Sequence, residues 1–330
     1  MEEASPAKVK IPSLAQVCIV VKNDIEKVAE NYWNLLGIGP WDIFTLEPPT
    51  AFNQTYRGKP ASYGLRAGIC QCGSCQLELI EPLYGESMYE DFLAESGEGL
   101  QHVMYLVDTI DEARNHVQLF AEQGCLLIMD GYLPDEYFAY VDTFDALKCV
   151  WEICKFPSSI PSSIPHVRIP KDPDPKSLAK IKVKAIFQVA VVVKNIAETI
   201  KNYWNLVGIG PWEICEVRPP LLHDLIYKGK PVSGGAKAAF TMAGETQIEL
   251  IEQPPPGEHI YTWEGLHHLC FTVDDIKETT KTMNSEGLST LVSEGVGDGG
   301  CAYYDTVGLL KCIWEAFQPP TTNLPTTRYP

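Results

Sequence analysis

The chain has 330 residues, a mass near 36.7 kDa, 45% apolar and 21% charged residues, ordinary globular proportions that exclude wholesale disorder and favour two domains. Lys plus Arg number 26 against 43 Asp plus Glu, a net charge of −17, which repels phosphate backbones and anionic headgroups and argues against nucleic acid or membrane as a partner. No apolar run approaches the roughly 20 residues that span a bilayer, the start Met-Glu-Glu-Ala-Ser-Pro is unlike a secretory signal, and eleven cysteines, an odd number, suit reduced thiols in a cytoplasmic protein.

Residues 1–11 read as an N-terminal tail, after which the run VCIVV (17–21) predicts a strand. Asn23 and Glu26 stand at the spacing of a capping box, each placed to satisfy the other's free backbone donor. Ile25, Val28, Ala29, Tyr32 and Leu36 fall at helical spacing, and Gly37 closes the helix. The GIGPW that follows has the Gly and Pro of a helix exit rather than a phosphate loop, because it trails a helix instead of preceding one. Trp41 then packs at the start of the next strand. Arg57 and Lys59 make a basic turn that reads as solvated hairpin charge. Cys70, Cys72 and Cys75 crowd a second hairpin, but a structural zinc needs four ligands and they read as ordinary thiols. The strand QLELIE (76–81) carries Glu78 amid apolar neighbours. If Glu78 faces inward, period-two alternation turns Ile80 inward and Glu81 out to solvent. A second strand-cap-helix start follows at VMYLV (103–107), Thr109 and Glu112, ending near Gly124, and LKCVWE (147–152) closes the pattern.

Residues 157–180 carry prolines at 157, 161, 165, 170, 173 and 175. That density forbids helices and sheet ladders and predicts an extended, semi-stiff linker. The whole pattern then returns. NYWNLVGIGPW (202–212) repeats NYWNLLGIGPW (31–41), QIELIE (247–252) repeats QLELIE, GLHHLCFTVD (265–274) repeats GLQHVMYLVD (99–108), and LKCIWE (310–315) repeats LKCVWE. The caps recur as Asn195 with Glu198 and Asp275 with Glu278, the helix ends as Gly208 and Gly287. Each copy is long enough to bury its own core. The predicted class is α+β: two tandem domains, 12–156 and 181–318, each of two βαβββ units, with residues 319–330 a surface tail.

Seven histidines are present, and only one aligned position carries histidine in both copies, His102 and His268. Each opens the second unit of its domain. The equivalent position of the first unit carries Gln16 and Gln188. The last strand of the first unit carries Glu78 and Glu249, and that of the second unit Glu152 and Glu315. A carboxylate within an apolar strand costs several kcal/mol unless it is paired or coordinates a metal. Two such glutamates per domain, retained in both copies, indicate an inward-facing site.

The two-unit domain, the Gln-Val opening of the first strand, GLHHLCFTVDDI and the closing YYDT and LKCIWE resemble the vicinal oxygen chelate superfamily, which includes glyoxalase I, methylmalonyl-CoA epimerase, extradiol dioxygenases and bleomycin-resistance proteins. The resemblance covers both copies. It implies an open, curled barrel around one divalent metal per domain, with a ligand from the first and last strand of each unit: Gln16, Glu78, His102 and Glu152, then Gln188, Glu249, His268 and Glu315. It implies a metal-dependent isomerase or lyase, of epimerase or glyoxalase type, that shifts a proton beside a metal-bound carbonyl through an enolate or enediolate. Glu152 and Glu315 would be the bases, with Glu78 and Glu249 sharing acid or base duty. Zn, Ni, Co, Mn and Fe are all admissible. Glu47 stands where family epimerases place a base on another strand, yet its counterpart is Arg218. A non-enzymatic small-molecule binder and a ring-cleaving dioxygenase are the competing readings. The second is disfavoured because glutamine replaces the first of the two histidines that iron and oxygen chemistry uses. The partner is a small carbonyl compound, and the chain is a monomer with a pseudo-dimeric domain pair or a homodimer.

Overall fold

The computed structural model describes residues 4–159, 164–172, 176–255 and 259–329; Pro161, Pro173 and Pro175 of the predicted linker lie outside the described residues. The first half contains β1 (Gln16–Val20), α1 (Ile25–Leu36), β2 (Trp41–Leu46), β3 (Phe52–Tyr56), β4 (Lys59–Pro60), β5 (Gly64–Cys72), β6 (Cys75–Tyr84), α2 (Met88–Glu95), β7 (Gly99–Leu106), α3 (Ile110–Ala121), β8 (Leu127–Leu133), β9 (Glu136–Val141), α4 (Phe144–Leu147), β10 (Val150–Lys155) and β11 (His166–Ile169). The second half contains β12 (Gln188–Val193), α5 (Ile196–Asn202), β13 (Trp212–Val217), β14 (Leu222–Tyr227), β15 (Lys230–Pro231), β16 (Ala236–Ala243), β17 (Thr246–Glu252), β18 (Gly265–Thr272), α6 (Ile276–Ser285), β19 (Thr290–Val296), β20 (Gly299–Tyr304), α7 (Val307–Leu310), β21 (Ile313–Gln318) and β22 (Thr326–Tyr329).

Each half builds one eleven-stranded sheet, ordered β11-β2-β5-β6-β1-β7-β10-β9-β8-β3-β4 and β15-β14-β19-β20-β21-β18-β12-β17-β16-β13-β22. The α+β class and the paired βαβββ units are as predicted: β1-α1-β2-β5-β6 joins β7-α3-β8-β9-β10 through antiparallel β1 and β7. β1 and β12 lie mid-sheet with both faces covered, which is why they are apolar almost throughout. Val17, Ile19, Leu77, Leu79, Trp151 and Ile153 face the helices and meet Tyr32 and Phe120. Cys18, Val20, Ile80 and Tyr140 face the other way, into the concave side of the sheet.

The ends of the helices refine the sequence reading. α1 is capped by Asp24, one residue after the predicted Asn23, and Asp24 accepts from the Lys27 N–H at 3.1 Å. The Asp24 N–H donates to Glu81 at 2.8 Å. Glu81, predicted to reach solvent, is therefore buried. The far face of β6 carries a helix, and a helix N-terminus attracts a carboxylate. Glu252 accepts from the Ile196 N–H at 3.0 Å in the same way. α5 widens into a π-helical turn over Tyr203–Val207 before Gly208. Helix α2 went unpredicted; Ser87 caps it by accepting from the Glu90 N–H.

In the shared GIGPW, Gly39 and Gly210 have φ of 153° and 152°, and a Cβ there would lie 2.7 and 2.9 Å from the rings of Trp33 and Trp204. No other residue fits. Trp41 and Trp212 are fully buried, donating to the carbonyls of Ile38 and Ile209 at 3.0 and 3.1 Å. All eleven cysteines are free and buried, Cys70, Cys72 and Cys75 included. Among the described residues no helix is long and apolar enough to cross a membrane.

The proline-rich segments do form sheet ladders, against expectation. β11 pairs with β2, and β22 pairs with β13. Each is a proline-free run of four residues between prolines, Pro165 with Pro170 and Pro325 with Pro330. Its free N–H groups complete an edge, and Pro170 after β11 and Pro325 before β22 have no N–H with which to extend the ladder.

The stretch ahead of each domain is a matched arm laid on the other domain. Ser5 donates to the Trp204 carbonyl at 2.5 Å and Ile11 N–H to the Val207 carbonyl at 3.0 Å; Ser177 donates to Trp33 at 2.8 Å and Val183 N–H to Leu36 at 2.8 Å. Tyr32 of α1 donates to the Leu310 carbonyl at 2.8 Å, and Tyr203 to the Leu147 carbonyl at 3.0 Å. These exchanges fuse the two helix layers into one continuous core. Removing either hydroxyl strands a buried carbonyl, a loss of about 1–3 kcal/mol. Tyr32→Phe and Tyr203→Phe are each expected to lower stability by that amount in urea denaturation, with both domains still unfolding in a single transition.

Candidate metal centre

The concave face of each sheet is where the eight predicted residues meet. On β1, Cys18 pairs with Glu78 of β6 on one side and His102 of β7 on the other. On β7, Met104 pairs with Glu152 of β10. Gln16 lies two residues before Cys18 on the same face. Side chains from four adjacent strands therefore converge. The second sheet repeats the register, with Ala190 between Glu249 and His268, and Cys270 beside Glu315. None of the eight is more than 9% exposed, and both histidines are wholly buried.

His102 Nε2 lies 3.1 Å from Glu152 and 3.4 Å from Glu78. His268 Nε2 lies 3.1 Å from Glu315 and 3.7 Å from Glu249. The glutamines are held from the side: Gln16 donates its Nε2 to Gln76 at 2.5 Å and Gln188 to Gln247 at 2.7 Å. That leaves each amide oxygen uncommitted. In the first cup Gln16 Oε1, Glu78 Oε2 and His102 Nε2 are all buried without a hydrogen-bond partner. Gln16 Oε1 and Glu78 Oε2, together with a His102 Nε2 that faces Glu152 at 3.1 Å, come from three strands and fit one divalent cation. In the second cup Glu249, His268 and Glu315 present donor atoms within 4.8 Å of one another.

Four features of the cups were not among the predicted site residues. Cys18 groups with Glu78 and His102 within 4.8 Å; its parity with Gln16 was the available signal. Tyr140 and Tyr303 pack edge-on against His102 and His268, with ring centroids 5.0 Å away in both cups. Their hydroxyls meet those of Tyr89 and Tyr261 at 2.7 and 3.1 Å. Each cup also holds a third carboxyl, Glu136 or Glu294. These two come from different places: Glu136 faces Leu133 across its hairpin where the second domain has Gly299 facing Val296, and Glu294 sits opposite Cys301 where the first has Gly131 opposite Phe138. Comparison of the copies hides them. Glu47, by contrast, sits apart, accepting from the Tyr84 hydroxyl at 3.2 Å, and Arg218 is exposed and pairs with Glu216. Arg57 is likewise exposed, paired with Asp91.

Gln16, Glu78 and Glu136 line a cavity of 220 Å³, closed on one side by Phe156, Pro157 and Ile164. Gln188, Glu249, Glu294 and Glu315 line a larger one of 630 Å³. Neither wall includes Lys or Arg among the described residues. Burial raises the proton affinity of Glu152, against the opposing pull of His102. Burial also raises Glu249, with Glu315 and Glu294 adding repulsion. Glu136 is pushed up to about 8, by burial and then by Glu152 and Glu78; Glu294 reaches about 7, mainly by burial. For His102 burial acts downward, but Glu152 and Glu78 outweigh it and raise the ring to about 9. Each cup is thus short of positive charge.

Residues 15–136 and 187–304 match the family described as the Glyoxalase/Bleomycin resistance protein/Dioxygenase superfamily. The chain belongs to this superfamily. The resemblance read from the sequence was to the same group. A stretch of 62 residues is 42% identical to an uncharacterized protein, YqjC, of Bacillus subtilis (strain 168), covering 16% of this chain and 44% of that one. A stretch of 117 residues is 26% identical to mitochondrial methylmalonyl-CoA epimerase of Dictyostelium discoideum, covering 34% of this chain and 62% of that one. The chain therefore spans less than two thirds of each of these relatives. A mutant of 4-hydroxymandelate synthase from Streptomyces coelicolor shares the fold over 95% of both chains, with a TM-score of 0.58 at 14% identity.

A buried carboxyl whose folded pKa exceeds its unfolded value destabilises the fold as it ionises, so stability is highest below the unfolded value and falls as pH rises toward the folded one. In the metal-free protein, Glu136→Gln is expected to leave the melting temperature nearly unchanged at pH 4.5, to raise it at pH 8.5, and to flatten the decline between. An unchanged slope in calorimetric scans across that range would contradict the raised proton affinity of Glu136.

Proposed function

We propose that the chain is a divalent-metal-dependent isomerase or lyase that moves a proton at the carbon beside the carbonyl of a small molecule. The observation that carries this reading is the donor set found twice: one imidazole, one glutamine oxygen and two glutamates, inside walls without Lys or Arg among the described residues. Gln16, Glu78, His102 and Glu152 would hold one ion, and Gln188, Glu249, His268 and Glu315 a second. Such an ion, when bound, polarises a carbonyl oxygen and stabilises negative charge developing there, worth several kcal/mol. Zn, Ni, Co, Mn and Fe all suit an oxygen-rich set with one nitrogen, and metal supply decides among them.

The proton is handled by the chain itself. Glu152, made more basic by burial, takes it from the substrate carbon and returns it to the opposite face or the neighbouring atom. Glu315 has the same place in the second cup, and Glu78 and Glu249 share the duty. Walls rich in carboxyl groups and, among the described residues, lacking Lys and Arg favour a reacting group that carries no charge. One histidine per cup, rather than the two of an oxygen-activating iron site, supports proton transfer over ring cleavage. Membership of the superfamily and the segment shared with an epimerase support it further. Eleven unpaired, buried thiols support a reducing compartment such as the cytoplasm. The reciprocal contacts between the halves support a monomer whose domain pair takes the place of a dimer.

Metal-loaded protein in deuterated water is expected to exchange the α-proton of at least one member of a panel of α-hydroxy carbonyls, 2-substituted acyl thioesters and hemithioacetals, read by proton NMR. Glu152→Gln and Glu315→Gln are each expected to lower the turnover of their own cup by about 10²–10⁴-fold. Absence of exchange across the panel, or exchange untouched in the double variant, would overturn the proposal.

A further inference from the structure

The two histidines at the centre of the cups share an irregularity of backbone. Cys18 pairs with His102, yet the next residue, Ile19, pairs with Leu100. Ala190 pairs with His268, yet Val191 pairs with Leu266. Each strand thus carries one extra residue, a β-bulge, at Gln101 and at His267. Successive side chains on a regular strand point to opposite faces, whereas a bulge re-aims one of them. Here it brings each extra side chain onto the neighbouring imidazole. Gln101 Oε1 lies 2.6 Å from His102 Nδ1, and His267 Nδ1 lies 2.9 Å from His268 Nδ1.

The partners fix the protons. An amide oxygen only accepts, so His102 must donate from Nδ1. In the second cup the argument takes one more step. His267 Nε2 lies 3.0 Å from the Ile260 carbonyl, which also only accepts. His267 therefore carries its proton on Nε2. A second proton on that ring would bury a cation between Trp263, Tyr261 and His268, with no ion pair to a carboxylate among the described residues. Neutral His267 thus presents a bare Nδ1, and His268 donates to it. The two domains reach one arrangement by different chemistry: a single amide in the first, a relay from imidazole to backbone carbonyl in the second.

We propose that Gln101 and His267 are positioning residues that keep a proton on Nδ1 of His102 and His268 and so aim each Nε2 into its cup. The inference rests on reading those two histidines as metal ligands. Ligand imidazoles are oriented by whatever their other nitrogen bonds, and loss of that partner commonly weakens metal binding tenfold to a hundredfold. Both bulge residues also line a 630 Å³ cavity between the domains, so a side chain of similar size has room there.

The test compares Gln101→Leu, His267→Leu and His267→Gln, each in a full-length chain whose other cup has lost its histidine to alanine. Zinc affinity is measured by competition with a chelator, and ring tautomers by long-range ¹⁵N–¹H correlation in the metal-free chain at pH 10, above the titration of His102. The leucine variants are expected to bind zinc tenfold to a hundredfold more weakly and to lose the pure Nδ1–H signature. His267→Gln, which installs the first domain's solution in the second, is expected to stay close to wild type in both readouts. Wild-type rings with the proton on Nε2, or leucine variants that keep both affinity and tautomer, would overturn the positioning role. A wild-type chain that binds no zinc in either cup would instead sink the metal reading; Nδ1–H rings that leucine disrupts would then still establish the positioning role.

Discussion

Glu78, Glu136 and Glu152 gather in the first cup and Glu213, Glu249, Glu294 and Glu315 in the second, and neither cavity wall carries lysine or arginine among the described residues. That constraint governs the rest of the structure. An uncompensated buried carboxylate costs several kcal/mol, and several of them together repel one another besides. The protein has two ways out: protons, which account for the raised affinities of Glu136, Glu152, Glu249 and Glu294, or a divalent cation. The buried Gln16 Oε1 and Glu78 Oε2, both without a hydrogen-bond partner, favour the cation, which satisfies several acceptors at once. A cup built this way is strained when empty and ionised at neutral pH, and a divalent cation relieves that strain.

The scaffold explains how such a cup is held together. Its ligands come from four adjacent strands of two separate βαβββ units, so the geometry depends on the β1–β7 and β12–β18 seams staying in register. Those seams are backed by the continuous core that the two helix layers share, pinned by Tyr32 and Tyr203 and wrapped by the exchanged arms. Duplication places both halves of that interface in one chain. It has also let the cups diverge: the first is a third the volume, carries Cys18, and is closed by Phe156, Pro157 and Ile164 from the segment joining the domains.

Much of this was legible in the sequence, and the exceptions have physical causes. Repetition picked out Gln16, Glu78, His102, Glu152 and their counterparts, alternation turned Glu78 inward, and the family resemblance supplied their reading as one ligand set. Glu81 was misplaced because alternation says which side a residue takes, not whether a helix covers that side. Glu136 and Glu294 escaped because they reach the same volume from non-equivalent positions. The bulges at Gln101 and His267 break the alternation the reading relied on, and only cross-strand register reveals them. The arms left a faint trace, SPAKVK (5–10) against SLAKIK (177–182), lost beside the prolines. The edge strands β11 and β22 are tertiary in origin, since four residues have no preference for a ladder until an edge is offered.

Crystals grown with a manganese salt and measured for anomalous scattering put the central claim to its most direct trial. The account predicts one peak inside each curled sheet, between the imidazole and the two glutamates, with Gln16 Oε1 and Gln188 Oε1 turned toward it. Empty cups at full manganese occupancy elsewhere, with the glutamates swung apart or protonated against one another, would contradict it.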